Sequence, residues 1–311
     1  MGEARSIEDW AARVRAGDTR WLARVLTEVE NRGPKARALL RALFDGPPRG
    51  WKIGVTGAPG AGKSTLVDAL ITKLRADGKT VAVVAVDPTS PFTRGAILGD
   101  RVRMLAHHAD PGVYVRSMAT RGSLGGLASA TADVLTVLEA AGWDVILIET
   151  VGVGQAEVDV VQLASAVAVT LTPGMGDDVQ ALKAGLMEIA DVFVLNKADL
   201  PGVEDAEKQL RAMLALRPPS DIPPPPVVRT VASRAEGVET LIKSLAERPE
   251  KTDVFASYWK EQLRRQLIDG LTSGWLDRCA SPDEIDRAAV EVAAGTLNPY
   301  DFIERSLTRL K

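Results

Sequence analysis

Gly57-Ala58-Pro59-Gly60-Ala61-Gly62-Lys63-Ser64-Thr65 lies between an apolar run with Ile53 and Val55 and a helical pattern of Leu66, Val67, Leu70, Ile71 and Leu74. A strand, a Gly-x-x-x-x-Gly-Lys-Ser loop and a helix, in that order, are the context that distinguishes a phosphate loop from an ordinary glycine-rich turn. Gly57, Gly60 and Gly62 let the backbone curl so that successive N–H groups point at phosphate oxygens. The helix that follows adds its N-terminal dipole at the same place. Lys63 is placed to reach the β- and γ-phosphates, and the Ser64 hydroxyl to ligate Mg²⁺. Residues 57 to 65 are therefore expected to hold a nucleoside triphosphate.

Outward from this loop, residues 51 to about 245 alternate short apolar runs with helical ones. Strands are expected at 52–56, 80–86, 113–115, 144–148, 166–171, 191–195 and 227–231. Runs this continuously apolar belong to strands covered on both faces, which predicts an α/β fold with a mostly parallel sheet flanked by helices. In such sheets the ligand sits beyond the carboxyl ends of the strands. Most of the polar motifs below fall at or just after such an end.

Residues 6 to 45 carry helical periodicity, with Gly17-Asp18 and Gly33-Pro34 dividing them into about three helices. The turn-rich Asp45-Gly-Pro-Pro-Arg-Gly50 marks a boundary. Arg217-Pro-Pro-Ser-Asp-Ile-Pro-Pro-Pro-Pro226 is a stiff extended connector into the last strand. Beyond 246 the chain becomes helical again, with aromatic and aliphatic residues at helical spacing from Val254 to Leu276. Ser281-Pro-Asp-Glu284 predicts a capped helix start, and Asn298-Pro299 another. The expected organisation is an N-terminal helical extension (1–46), a P-loop NTPase domain (47–245) and a C-terminal helical arm (246–311).

The base and the metal are addressed by other strand ends. Asn196-Lys197-Ala198-Asp199 follows the strand 191–195. In an Asn-Lys-x-Asp loop the aspartate accepts hydrogen bonds from guanine N1–H and the exocyclic amine. Adenine lacks those donors and would leave the carboxylate unpaired, so GTP is expected over ATP. Glu149-Thr-Val-Gly152 ends the strand beside the phosphate loop. There Glu149 can hold Mg²⁺ directly or through water, and the Gly152 N–H can sense a γ-phosphate. GTPases usually carry Asp at this position, so the longer Glu149 is expected in an outer-sphere role. Asp87, at the end of the strand 80–86, and Asp100 are further candidate Mg²⁺ carboxylates. An Asx-turn and a solvated loop, respectively, are the alternatives for them.

The 311 residues are 46% hydrophobic and 25% charged, ordinary for a globular protein. A net charge of −3 argues against a broad nucleic-acid or anionic-membrane footprint. No apolar run approaches the roughly 20 residues of a bilayer span, and no secretory signal is visible. Cys279 is the only cysteine, so no intramolecular disulfide can form and a cytoplasmic location is expected. One cysteine and the adjacent His107 and His108 do not make a spaced metal-ligand cluster.

Taken together, these motifs resemble one family. They comprise Asp87-Pro-Thr-Ser-Pro91, Gly95-Ala-Ile-Leu-Gly-Asp-Arg101, Arg116-Ser-Met-Ala-Thr-Arg-Gly-Ser-Leu-Gly-Gly-Leu127, Glu149-Thr-Val-Gly-Val-Gly-Gln155 and Asn196-Lys-Ala-Asp199. The chain resembles the methylmalonyl-CoA mutase-associated GTPases, the MeaB or ArgK-like group that includes the methylmalonic aciduria type A protein. The resemblance implies a homodimeric, Mg²⁺-dependent GTPase chaperone, cycling between GTP and GDP. It would gate cofactor loading, protection and reactivation of an adenosylcobalamin-dependent acyl-CoA mutase. It also implies a C-terminal dimerisation arm and further base contacts from Val231, Ala232 and Ser233, where many members read Ser-Ala-Arg or Ser-Ala-Leu. A third switch is implied at 173–183, whose Asp177, Gln180 and Lys183 would move to the nucleotide when the mutase docks. Lys63, Asp87, Asp100, Glu149, Gln180 and Lys183 are thus the candidate catalytic set. A transport-associated ATPase or kinase, a metal-loading GTPase and a nucleotide-gated binding module are the alternatives.

Overall fold

β1 (Trp51–Gly57), the strand that feeds the phosphate loop, is the central member of a seven-stranded sheet in the computed structural model. The structure describes residues 6–44, 49–87, 107, 109–119, 126–150, 163–174, 188–216, 223–248, 260, 263–264, 267–268, 278–293 and 296–309. The other strands are β2 (Val81–Asp87), β3 (Val113–Ala119), β4 (Val145–Thr150), β5 (Ala166–Leu171), β6 (Val192–Leu195) and β7 (Val227–Arg229). Their order is β3-β2-β4-β1-β5-β6-β7. Every neighbouring pair is parallel. All strand carboxyl ends therefore lie on one edge, and β1 sits between β4 and β5 on it. β3 runs four residues past the expected 113–115 and carries Arg116 within the strand.

Period-two alternation assigns the two faces of β1. Ile53 and Val55 join a core with Leu66, Val67, Leu70, Ile71 and Leu74 of α4 (Lys63–Ala76). Val238, Leu241 and Leu245 of α7 (Val238–Ala246) complete that core. Lys52 faces the other way, buried, and its Nζ donates to Glu139 of α5 (Gly126–Ala140). Burial raises the Glu139 pKa, and the Lys52 charge opposes the shift. A buried cation is tolerated in a strand because its partner comes from the covering helix.

The expected N-terminal helices are α1 (Ile7–Arg15), α2 (Thr19–Glu30) and α3 (Ala36–Leu43). Ser6 caps α1 by accepting from the Asp9 N–H, and Asp18 caps α2 by accepting from Arg20 and Trp21 N–H. Leu22, Val25, Leu26 and Val29 form one buried stripe of α2, which packs with α3 against α5. Arg116 of β3 reaches the same helix, its Nη2 2.5 Å from Glu30 Oε2 and its Nη1 3.2 Å from Thr27 Oγ1. Between β6 and β7 runs α6 (Val203–Ala215). The chain forms two compact units, Met1–Lys251 and Thr252–Lys311, and α1 to α3 belong to the first together with the sheet.

In the second unit, α8 (Pro282–Ala293) starts with a capping box. The Ser281 N–H donates to Glu284 Oε2 at 2.8 Å, and the Glu284 N–H donates to Ser281 Oγ at 3.3 Å. α9 (Pro299–Thr308) follows, with Asn298 Oδ1 accepting from the Tyr300 N–H. Arg309 joins the end of this unit to the Cys279 carbonyl and Glu284. Leu263, Leu267 and Ile268, members of the apolar pattern beyond 246, are exposed within it. Among the described residues no helix is long and apolar enough to cross a membrane.

Asp133 of α5 is largely buried, and desolvation raises its pKa from 3.8 to about 6, with Arg32 opposing. The folded state therefore holds this proton more tightly than the unfolded chain. Its contribution to stability is present below pH ~4 and lost as pH rises towards 6. Asp133→Asn is expected to stabilise the fold by on the order of 2 kcal/mol at pH 8, discounted for residual solvent contact, and to be neutral at pH 4. Urea unfolding at the two pH values checks this. Destabilisation at pH 8 would show that Arg32 outweighs desolvation.

Candidate functional site

The site is built at the carboxyl edge of β1, where the strand must turn sharply without losing contact with β5. Gly57 is in register with Thr170 and has φ 138°. A Cβ there would lie 2.1 Å from the Thr170 carbonyl oxygen, so only glycine lets the two backbones approach this closely. The loop closes at Gly62 (φ 86°), which caps α4 in a left-handed conformation. The Leu66 N–H donates back to the Gly62 carbonyl at 2.9 Å.

Side chains from two elements hold the loop by its carbonyls. Lys63 is 6% exposed, and its Nζ donates to the carbonyls of Gly57 (2.9 Å) and Ala58 (3.0 Å). Lys197, in a left-handed conformation just after β6, donates from Nζ to the Gly60 carbonyl at 3.0 Å. Asn196 Nδ2 donates to the Ala61 carbonyl at 2.9 Å. The loop is thus tied down at four of its carbonyls, Gly57, Ala58, Gly60 and Ala61. Pro59 and Thr65 complete the expected segment, Thr65 lying in the first turn of α4.

Ser64 and Glu149 meet directly. The Ser64 hydroxyl donates to Glu149 Oε1 at 2.6 Å, and both side chains are buried. They are 85 residues apart in sequence and are joined by the pairing of β1 with β4, in which Val55 is in register with Glu149. One residue further along both strands, the Thr150 hydroxyl donates to Thr56 Oγ1 at 2.9 Å and locks the two strand ends together. A cation (Lys63), a hydroxyl and a carboxylate are thereby collected at the helix N-terminus. Oxygen donors of this hard type suit Mg²⁺ and poorly suit soft metals.

The residues expected to read the base lie in the segments that follow β6 and β7. Asn196, 2% exposed, accepts on Oδ1 from the Thr230 hydroxyl (3.0 Å) and the Ala232 N–H (3.1 Å) while its amide holds Ala61. One side chain thus couples the phosphate loop to the 3₁₀ turn Ala232–Arg234, which contains Ser233. The Val231 N–H donates to the Glu236 carbonyl at 3.1 Å, and the Val231 side chain is buried. Asp199 lies on the surface with its Oδ2 3.6 Å from Arg234 Nη1.

Asp87 ends β2, in register with Ala119, which puts its backbone on the same edge. Asp100, Gly152, Asp177, Gln180 and Lys183 lie outside the described residues. Thr230 and Arg234, which contact Asn196 and Asp199, stand outside the expected set. Arg234 is marked in the sequence by directly following the 231–233 segment, whereas nothing in the sequence marks Thr230.

A family model described as methylmalonyl Co-A mutase-associated GTPase MeaB matches residues 22–271. A Pyrococcus abyssi protein named as a GTPase is 44% identical over 98% of this chain and 97% of its own length. The Caenorhabditis briggsae protein named methylmalonic aciduria type A homolog, mitochondrial, is 36% identical over 75% of this chain and 61% of its own. A solved structure titled LAO/AO transport system kinase superposes with a TM-score of 0.67 at 27% identity, covering 100% of this chain and 99% of that one.

Proposed function

Because the chain belongs to the methylmalonyl-CoA mutase-associated GTPase MeaB family, we propose that it binds Mg²⁺ and GTP at this edge and hydrolyses GTP as the chaperone of an adenosylcobalamin-dependent acyl-CoA mutase. The observation that carries the nucleotide chemistry is the buried meeting of Ser64 with Glu149 beside Lys63. In this reading the 57–65 loop and the α4 N-terminus hold the phosphates, and Lys63 supplies a point charge at the β- and γ-oxygens. Ser64 and Glu149 hold Mg²⁺, Glu149 directly or through water, with Asp87 and Asp100 as further carboxylates. Bound there, the metal would neutralise charge on the phosphate oxygens. Asp199 reads guanine, and Asn196 holds the base pocket in step with the phosphate loop.

Hydrolysis is proposed to be slow in the isolated protein and accelerated when docking of the mutase brings Gln180 and Lys183 to the nucleotide. The C-terminal arm would join two copies into a homodimer. Single-turnover GTP hydrolysis is expected to rise by about tenfold or more on adding methylmalonyl-CoA mutase, the default client. Equal rates with and without it would overturn the chaperone reading.

The kinase title of the structural relative favours a second reading, phosphoryl transfer to an acceptor. Titration with GTP and ATP separates the two. A preference for ATP would favour the kinase and exclude the guanine-reading role of Asp199.

A further inference from the structure

The 3₁₀ turn Ala232–Arg234 reaches both polar ends of the Asn196–Asp199 segment. At its start the Ala232 N–H bonds Asn196, and at its end Arg234 stands 3.6 Å from the Asp199 carboxylate. Arg234 is itself tethered, its Nε donating to Glu236 Oε1 at 2.8 Å. Glu236 is bridged in turn to Val231, its carbonyl accepting from the Val231 N–H at 3.1 Å and its N–H donating to the Val231 carbonyl at 3.3 Å. Ala235, at φ 56°, makes the left-handed step that folds Glu236 back onto Val231. The guanidinium is therefore held at one end by the turn's own carboxylate and turned at the other towards Asp199.

We infer that Arg234 is a positioning residue for guanine specificity, holding the Asp199 carboxylate in the orientation that accepts the base's N1–H and exocyclic amine. This inference rests on the base-reading role proposed for Asp199. A carboxylate offers about four lone-pair sites, so a cation beside Oδ2 leaves room for two N–H donors from the base. Asp199 is 40% exposed, and without a partner its side chain would sample several rotamers that binding would have to restrict. When the base covers the carboxylate, water leaves, and a neighbouring cation offsets part of that desolvation. Arg234 thus acts on nucleotide affinity through Asp199, while an exposed ion pair of this kind contributes little to folding.

The test uses the full chain and measures affinities for guanosine and xanthosine diphosphates by fluorescent-nucleotide displacement, with thermal melts to verify folding. Xanthine carries a carbonyl where guanine has its amine, so Asp199→Asn is expected to move the preference from the guanosine to the xanthosine nucleotide. Arg234→Ala is expected to weaken guanosine diphosphate by about fivefold in the Asp199 protein, the upper range for an exposed pair. It should leave xanthosine diphosphate affinity unchanged in the Asp199→Asn background, where the charge partner is gone. Arg234→Lys, which keeps the charge, should restore part of the loss.

Equal losses in both backgrounds would show that Arg234 only props the loop, and would overturn the inference. Unchanged guanosine diphosphate affinity in Arg234→Ala, alongside a working Asp199→Asn switch, would overturn it while leaving the base-reading role intact. Failure of Asp199→Asn to change the preference would overturn the base-reading role itself, and this inference with it.

Discussion

Single-turnover GTP hydrolysis is expected to fall by about 10²- to 10³-fold when Lys63 is replaced by alanine, the range for removing one preorganised group that stabilises transition-state charge. Lys63 is almost fully buried at the start of α4, and its Nζ holds the Gly57 and Ala58 carbonyls. A cation so placed has already lost most of its water, so moving it onto phosphate oxygens adds attraction at little further desolvation cost. Arginine should not substitute, because its broad planar fork does not fit where a point charge meets two backbone carbonyls. The loss should be larger for a non-hydrolysable GTP analogue than for GDP, since only the former presents a γ-phosphate. Rapid-quench turnover and parallel binding of the two nucleotides check this. An unchanged turnover rate would place the γ-phosphate away from Lys63.

The second large effect is on folding. Gly57→Ala is expected to destabilise the protein by about 3 kcal/mol, the upper end for overpacking combined with backbone strain. The added Cβ would lie 2.1 Å from the Thr170 carbonyl oxygen and 2.9 Å from its carbonyl carbon and nitrogen. These are backbone atoms of β5, held in parallel register with β1, so relief requires parting two central strands. Gly60→Ala is the control. Gly60 also has positive φ (77°), yet a Cβ there meets nothing within 4 Å. Only conformational strain remains, about 1 kcal/mol. Denaturant midpoints for the two variants separate clash from strain, and equal losses would show that the β1–β5 approach is not tight.

Strands and caps were largely legible because each depends on contiguous residues. The run Val-Ile-Leu-Ile at 145–148 is too apolar to be anything but a strand covered on both faces, and the structure buries all four residues. Ser281-Pro-Asp-Glu284 carries its capping box in four letters, and both hydrogen bonds are made. β3 extends beyond the expected 113–115 because its apolar run, interrupted by Arg116, continues as strand past the arginine. The arginine is accommodated in the strand by Glu30 and Thr27 of α2, more than 85 residues earlier. The burial of Lys52 in β1 is not legible in the sequence for the same reason, since its partner Glu139 comes from a distant helix.

By itself the sequence determined the nucleotide loop, the parallel α/β class and the identity of the polar residues at the strand ends. Those follow from local chemistry: glycine spacing sets backbone curvature, and apolar periodicity sets burial. The sequence also placed Glu149 beside the phosphate loop, and the tertiary structure decided which side chains touch. The order β4-β1-β5 sets the end of β4 beside the phosphate loop, which brings Glu149 onto Ser64. The pairing of β6 with β7 sets Thr230 and Ala232 against Asn196, and brings Arg234 to Asp199. Parallel strands joined by helices can be ordered in several ways with nearly the same local sequence pattern. The contacts across strand ends therefore depend on register and order, which packing of the whole sheet selects.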